Sequence, residues 1–254
     1  MLRIGLTSVT FRQSSASEVI GYCKNCGIGA IEWGSDVHVP VDDVFNAEQI
    51  KKECNDEGIT VSSYGTYYRC GTYEDGVKEF AKYIEIARIL EAPTLRIWIG
   101  NRNFKEGDEE YIEAIVSEVQ MLCDLAGKEN MEIAGEFHIG TLCNTGESAL
   151  EMVKRVNREN FGMYFQYDWN ISLEQNCENL KSFLPILKNV HVFHYGNNGR
   201  HSLGEGDGER FWRKAIEILE DSNVEATLLF EFLPEQTVKC LEQETEILKE
   251  MINK

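Results

Sequence analysis

The chain has 254 residues, of which 43% are hydrophobic and 27% charged, and a formal net charge of −18 at pH 7. That length matches the roughly 250 residues of one eight-fold βα barrel. So acidic a field repels a phosphate backbone and argues against nucleic acid as a partner. No apolar run of about 18 residues appears, which argues against a membrane span.

In chain order, short β-rich runs alternate with amphipathic stretches. Met1–Leu6 enters a strand-like segment without the long apolar stretch of a signal peptide, so a cytoplasmic location is expected. The strand candidates are Arg3–Ser8, Ala30–Trp33, Thr60–Tyr64, Thr94–Ile99, Glu132–Phe137, Gly162–Gln166, Asn189–His194 and Ala226–Phe232. Their starts lie roughly 26 to 39 residues apart, the size of a βα unit. Ser15-Ala16-Ser17-Glu18 reads as a capping box opening the first helix, and Gly27 stops it. A second helix runs from Asn46 to a stop at Gly58. The third carries Phe80, Ile84, Ala87 and Leu90 on one face and ends before Pro93. A fourth spans Asp108 to Gly127, and Leu241, Ile247, Leu248 and Met251 form the stripe of a closing helix. This alternation predicts an α/β fold, a (β/α)8 TIM barrel in a single domain over residues 1–254. Cys23 and Cys26 form a C-x-x-C within the first helical pattern, where two small core residues one turn apart are the simpler reading than a redox pair.

In such barrels chemistry collects where strands end and loops begin. Those positions hold Arg12, Trp33, His38, Tyr64, Arg69, Arg96 and Trp98 in the first half of the chain. The second half adds Glu136, His138, Gln166, Asp168, Asn170, His191, His194, Arg200 and Glu231. Glu136 and Glu231 end strands rich in apolar residues, where a carboxylate is costly to bury without a cation or donors. Coming from the fifth and eighth strands, they are expected to face each other across the barrel axis and to divide acid and base work. With His191 they also suit a divalent cation. The competing reading pairs such a glutamate with a barrel arginine such as Arg96. Five arginines (Arg12, Arg69, Arg96, Arg102 and Arg200) sit at strand exits of an otherwise acidic chain, which argues for an anionic substrate unless Glu32, Asp36 and Asp168 neutralise them.

At these residues the sequence resembles the sugar phosphate isomerase/epimerase group of the xylose isomerase-like TIM barrels. The resemblance rests on the ordered series Ser8-Val9-Thr10-Phe11-Arg12, Ile31-Glu32-Trp33-Gly34-Ser35-Asp36-Val37-His38-Val39-Pro40 and Ser63-Tyr64-Gly65-Thr66-Tyr67-Tyr68-Arg69. It continues with Gly135-Glu136-Phe137-His138, Thr141, Val190-His191-Val192-Phe193-His194, Gly204-Glu205-Gly206 and Glu231. The resemblance implies a divalent metal (Mn, Mg or Zn) held by Glu136, Gln166, His191 and Glu231, and proton transfer between the two glutamates through an enediolate. Gln166 departs from the pattern, which has Asp there. Three outcomes stay open: Asp168 replaces it, the metal is held loosely, or there is none. The implied partner is a small carbohydrate, with no nucleic acid and no membrane, and a homo-oligomer is left open. The same pattern also resembles polyol dehydratases, and a sugar-binding barrel without catalysis is the alternative of a different class.

Overall fold

In the computed structural model, which describes residues 1–253, the strands are β1 (Leu2–Thr7), β2 (Ala30–Gly34), β3 (Thr60–Arg69), β4 (Thr94–Trp98) and β5 (Glu132–Glu136). They continue as β6 (Phe161–Gln166), β7 (Leu187–Val192), the hairpin β8 (His194–Gly196) and β9 (Gly199–His201), and β10 (Ala226–Phe230). All but the hairpin close into one barrel in the order β1-β10-β7-β6-β5-β4-β3-β2, every neighbouring pair parallel. The helices α1 (Ala16–Cys26), α2 (Val44–Asp56), α3 (Gly76–Leu90), α4 (Glu109–Gly127), α5 (Gly146–Val156), α6 (Leu173–Phe183), α7 (Gly206–Asp221) and α8 (Val238–Ile252) supply the crossovers.

Local chemistry explains the helix ends. Ser15 accepts from the Glu18 amide while Glu18 reaches back to the Ser15 amide, completing the capping box that opens α1. Gly27 closes that helix at φ +68°, a left-handed cap that a side chain disfavours. Cys23 and Cys26 are both buried on α1, and burial raises both thiols above their ordinary value, so they behave as core residues. No helix among the described residues is long and apolar enough to cross a membrane.

β3, β7 and β10 depart by more than one residue from their expected bounds, β10 ending at Phe230 rather than Phe232. β3 runs to Arg69 rather than Tyr64, with a register irregularity against β4 between Gly65 and Arg69 and Tyr67 at φ +53°. β7 stops at Val192, and His194 instead opens the hairpin that follows.

The pleat sorts each strand's residues into two environments. Ile133, Phe165, Leu228 and Phe230 belong to the main apolar core, together with the buried faces of the helices. Alternating with them, Ala134, Tyr164 and Leu229 form a small separate cluster. The Tyr164 hydroxyl accepts from Asn189 of β7 at 2.8 Å. This second set lies inside the barrel. One step further along the same strands, on the same side of the pleat, stand Glu136, Gln166 and Glu231.

Candidate active site

Five ionisable side chains meet at the C-terminal end of the barrel, each at most 5% exposed: Glu32 of β2, Arg96 of β4, Glu136 of β5, His191 of β7 and Glu231 just past β10. Arg96 sits between two of the carboxylates. Its Nε donates to Glu32 Oε1 at 3.0 Å and its Nη1 to Glu136 Oε2 at 2.5 Å. Trp98 Nε1 donates to the same Glu136 oxygen, and Ser63 Oγ donates to Glu32 Oε2 at 2.9 Å. The ion pairing of Glu136 with Arg96, weighed as the competing reading of the sequence, is therefore present. It engages one oxygen of Glu136 and leaves the other facing His191.

Room for this arrangement comes from Gly65. A Cβ there would lie 2.6 Å from Arg96 Nη2 and 3.0 Å from Glu32 Oε1. The bare backbone lets the guanidinium lie against β3, a close approach that other residues would block.

His191 is the hub. Its Nδ1 lies 3.4 Å from Glu231 Oε2, 3.6 Å from Glu136 Oε1 and 3.5 Å from Gln166 Oε1. Ligand atoms of Glu136, His191 and Glu231 all fall within 4.8 Å of one another. Glu231 Oε2 is buried with no hydrogen-bond partner, an arrangement that is costly unless something else occupies it. Two carboxylates, an imidazole and an amide oxygen around one point form a donor set that fits a hard or borderline divalent cation. Asp168 does not join this group. Its Oδ1 accepts from the backbone and side chain of Asn170, so it holds its own loop while lining the cavity.

The charges are unequal in a way that matters for proton transfer. Burial alone would raise Glu32, but Arg96 and His191 outweigh it and hold the carboxyl down at about 2. Glu136 is likewise lowered, burial being overcome by Arg96 and His191. Glu231 goes the other way: burial raises it and Glu136 adds repulsion, with only part returned by His191. His191 is raised, since Glu231, Glu32 and Glu136 together overcome its burial. The site thus holds one carboxyl that stays ionised beside another that keeps its proton more readily.

Above this cluster opens a cavity of about 680 Å³, lined among others by Arg12, Tyr67, Arg96, Trp98, Glu136, His138, Gln166, Asp168, Trp169, Asn170, Tyr195 and Glu231. Its walls are aromatic. His138 stacks on Trp98 with centroids 5.3 Å apart, and Trp169 lies 4.9 Å from Tyr195.

Of the residues expected to contact substrate, Arg12, Arg96, Trp98, His138, Asp168 and Asn170 line this cavity. Trp33, His38, Tyr64, Arg69, His194 and Arg200 do not. Trp33 and Tyr64 each follow an inward residue (Glu32, Ser63), so the pleat turns them outward into the core. The Tyr64 hydroxyl donates to the Val39 carbonyl at 2.6 Å. His38 Nε2 contacts the Ser14 carbonyl at 3.0 Å, and His194 Nδ1 contacts the Ser202 carbonyl at 2.9 Å, each bracing a loop. Arg69 lies behind the wall, 3.9 Å over the Trp98 ring, donating to the carbonyls of Gly100 and Gly140. Arg200 folds onto the Tyr195 hydroxyl and the Phe232 ring.

The expected cationic mouth is corrected accordingly. Only Arg12 and Arg96 of the five arginines reach the cavity; Arg12 is paired with Asp36, and Arg96 with Glu32 and Glu136. Arg102 stacks on Tyr111 at 4.0 Å. The carboxylates named as the neutralising alternative are, for Arg12 and Arg96, their partners, so the arginines supply no argument for an anionic substrate.

Other contributors stood outside the set expected to contact substrate or metal. Tyr67 accepts from Arg12 Nη2 at 3.1 Å, lies 5.2 Å from the Arg96 guanidinium and lines the cavity. Its positive φ, which aims it there, leaves no trace in residue type. Glu32 and Ser63 lie beneath the cavity; their alternation on β2 and β3 was the available signal.

A family model for the xylose isomerase-like TIM barrel matches residues 20–253. The chain belongs to that family. Among curated proteins, a 3-dehydroshikimate dehydratase of Bacillus anthracis is 20% identical over 205 residues, which cover 77% of this chain and 72% of that protein. Among solved structures, the probable 3-DHS dehydratase AsbF of Bacillus anthracis superposes with a TM-score of 0.83 at 16% identity, over 97% of this chain and 98% of that one. D-psicose 3-epimerase of Clostridium cellulolyticum H10, bound to D-tagatose, superposes with a TM-score of 0.77 at 15% identity, over 98% of each chain. A xylose isomerase-like barrel of Mycobacterium smegmatis in complex with magnesium gives 0.76 at 16% identity, over 98% of this chain and 96% of that one. At these identities the structural likenesses establish the fold; chemistry is argued from the site.

Proposed function

We propose that this protein is an isomerase or epimerase that takes a proton from the carbon beside the carbonyl of a small polyhydroxylated compound and returns it to a neighbouring position or the opposite face. The observation that carries this reading is the pair Glu136 and Glu231, buried across His191 with opposite displacements of their proton affinity. One proton moving across a substrate needs a carboxylate to receive it and a carboxylic acid to supply it. Glu136, kept ionised by Arg96 and Trp98, accepts; Glu231, whose Oε2 has no other partner, donates.

Glu136, Gln166, His191 and Glu231 would hold a divalent cation, which when bound supplies a Lewis acid that stabilises the negative oxygen of the enediolate. The chain's own groups do the rest. His138 and Trp169 offer ring faces to the C–H faces of a polyol, while Asp168 and Asn170 at the rim provide hydrogen bonds. With Arg12 and Arg96 already paired, the cavity suits an uncharged sugar better than a phosphate ester.

Dehydration is a second reading, which the same inequality of the two glutamates accommodates. Arg96 and Trp98 together restrain Glu136, so the two glutamates are not equivalent bases. Loss of water needs only one base, with an acid to protonate the departing hydroxyl. The dehydratase relative supports the same reading.

The test incubates the protein, with and without added Mn²⁺, with ketohexoses and with 3-dehydroshikimate in D₂O. Deuterium entering beside the carbonyl, with a new sugar on chromatography, supports the isomerase reading. Loss of one water by mass spectrometry supports the lyase. Neither outcome with any compound that binds would leave a barrel that only binds.

A further inference from the structure

Glu32 does not line the cavity, yet it contacts both the buried cation Arg96 and the imidazole of His191. Ser63 Oγ donates to its Oε2 at 2.9 Å, and Arg96 Nε donates to its Oε1 at 3.0 Å. That same Oε1 lies 3.5 Å from His191 Nε2. The proton transfer described above makes no use of this carboxylate, although burying it is expensive.

The two nitrogens of His191 face different groups. Nδ1 looks toward Glu136, Gln166 and Glu231. Nε2 is fully buried without a hydrogen-bond partner, and the acceptor facing it is Glu32. The Tyr164 ring packs edge-on to the imidazole, centroids 5.1 Å apart at 79°, and is itself held by Asn189, so this orientation is braced from below. A neutral imidazole carries one N–H, and whichever nitrogen donates leaves the other with its lone pair.

We propose that Glu32 is a positioning residue for His191. Its carboxylate takes the Nε2–H, so that the Nδ1 lone pair points to the space shared by Glu136, Gln166 and Glu231. Arg96 and Ser63 serve this by fixing Glu32 in place. Were Nδ1 to engage a cation, the Nε2–H would be more strongly polarised and its bond to Glu32 would strengthen. The inference rests on the reading that this cluster binds a divalent cation.

The experiment uses Zn²⁺, a diamagnetic probe, on the full chain labelled with ¹⁵N-histidine. Long-range ¹H–¹⁵N spectra report which ring nitrogen carries the proton, with the His191 signals assigned through His191→Gln. The expected result is a zinc-loaded His191 protonated at Nε2. Competition titration should show zinc affinity falling about 10- to 100-fold in Glu32→Gln, and less in Ser63→Ala. A purely structural Glu32 would lower the melting temperature of Glu32→Gln without weakening zinc binding in the protein that remains folded. His191 protonated at Nδ1, or Glu32→Gln binding zinc as tightly as the unaltered protein, would overturn the inference while leaving the metal site standing. Should the unaltered protein take up no zinc, the metal reading falls and this inference with it. The tautomer measurement needs no variant at position 32, so it decides the matter even if Glu32→Gln fails to fold.

Discussion

Replacing Arg96 with methionine is the sharpest probe of the buried charge array. The substitution keeps most of the side-chain volume and removes the cation that sits 3.0 Å from Glu32 and 2.5 Å from Glu136. At 1.36 kcal/mol for each tenfold change in proton affinity, a carboxyl held at about 2 instead of its ordinary 4.5 contributes about 3 kcal/mol. That agrees with the roughly 3–5 kcal/mol lost when one partner of a buried ion pair is removed. The sign with pH follows. Because the folded carboxyl is depressed, this stability is fully present above pH 4.5 and is lost as pH falls toward 2. In Arg96→Met the carboxyls of Glu32 and Glu136 become easier to protonate, and a neutral carboxylic acid is cheaper to bury. The deficit relative to the unaltered protein should therefore be about 3 kcal/mol near pH 7.5 and clearly smaller near pH 4.5. The raised His191 contributes stability below its unfolded value that fades as pH rises through its folded one; both proteins contain it, so to first order it cancels. Urea unfolding of chelator-treated protein, followed by circular dichroism at the two pH values, measures the difference. Equal stability at pH 7.5, or a deficit that does not shrink on acidification, would refute the assignment of Arg96 as counter-ion to the two glutamates.

Glu231→Gln should reduce turnover at least about 10²-fold, as loss of a general acid–base does, while leaving stability unchanged or slightly increased. It removes a buried carboxylate whose Oε2 has no partner and which Glu136 repels, and paired kinetics and melting curves check both halves. Trp98→Phe deletes the N–H that helps hold Glu136 ionised while keeping a ring against His138. Glu136 should become easier to protonate, so the acid limb of the kcat/KM profile should move to higher pH; an unmoved limb would show that the indole donor has no part in tuning the base. Gly65→Ala places a Cβ against Arg96 Nη2 and should cost about 1–3 kcal/mol in urea unfolding, the usual range for overpacking a tight interior.

The barrel, its strand count and the glutamates at the ends of β5 and β10 were legible in the sequence because they depend on local pattern. Strand-length apolar runs alternate with helical stripes at the spacing of βα units, and a carboxylate closing an apolar strand is conspicuous wherever it stands. Position relative to the pleat was legible too, but less plainly. Glu32 beside Trp33, and Ser63 beside Tyr64, are neighbours that diverge to opposite faces; proximity to a strand end alone did not separate them. The arginines show a different limit. Their number at strand exits suggested a charged substrate, yet whether a guanidinium meets a ligand or a carboxylate depends on which residues of other strands approach it.

What the sequence by itself determined is therefore whatever one segment can encode: element type, caps such as Ser15 and Gly27, and the chemical identity of the groups delivered to the barrel's end. Only the tertiary structure decided how those groups pair. Arg96 meets Glu32 and Glu136 from positions 64 and 40 residues away, and His191 meets four acceptors from four different strands or their ends. The physical reason is that charge interactions act through space at a few ångströms. Barrel closure sets those distances, and with them the proton affinities on which the chemistry depends.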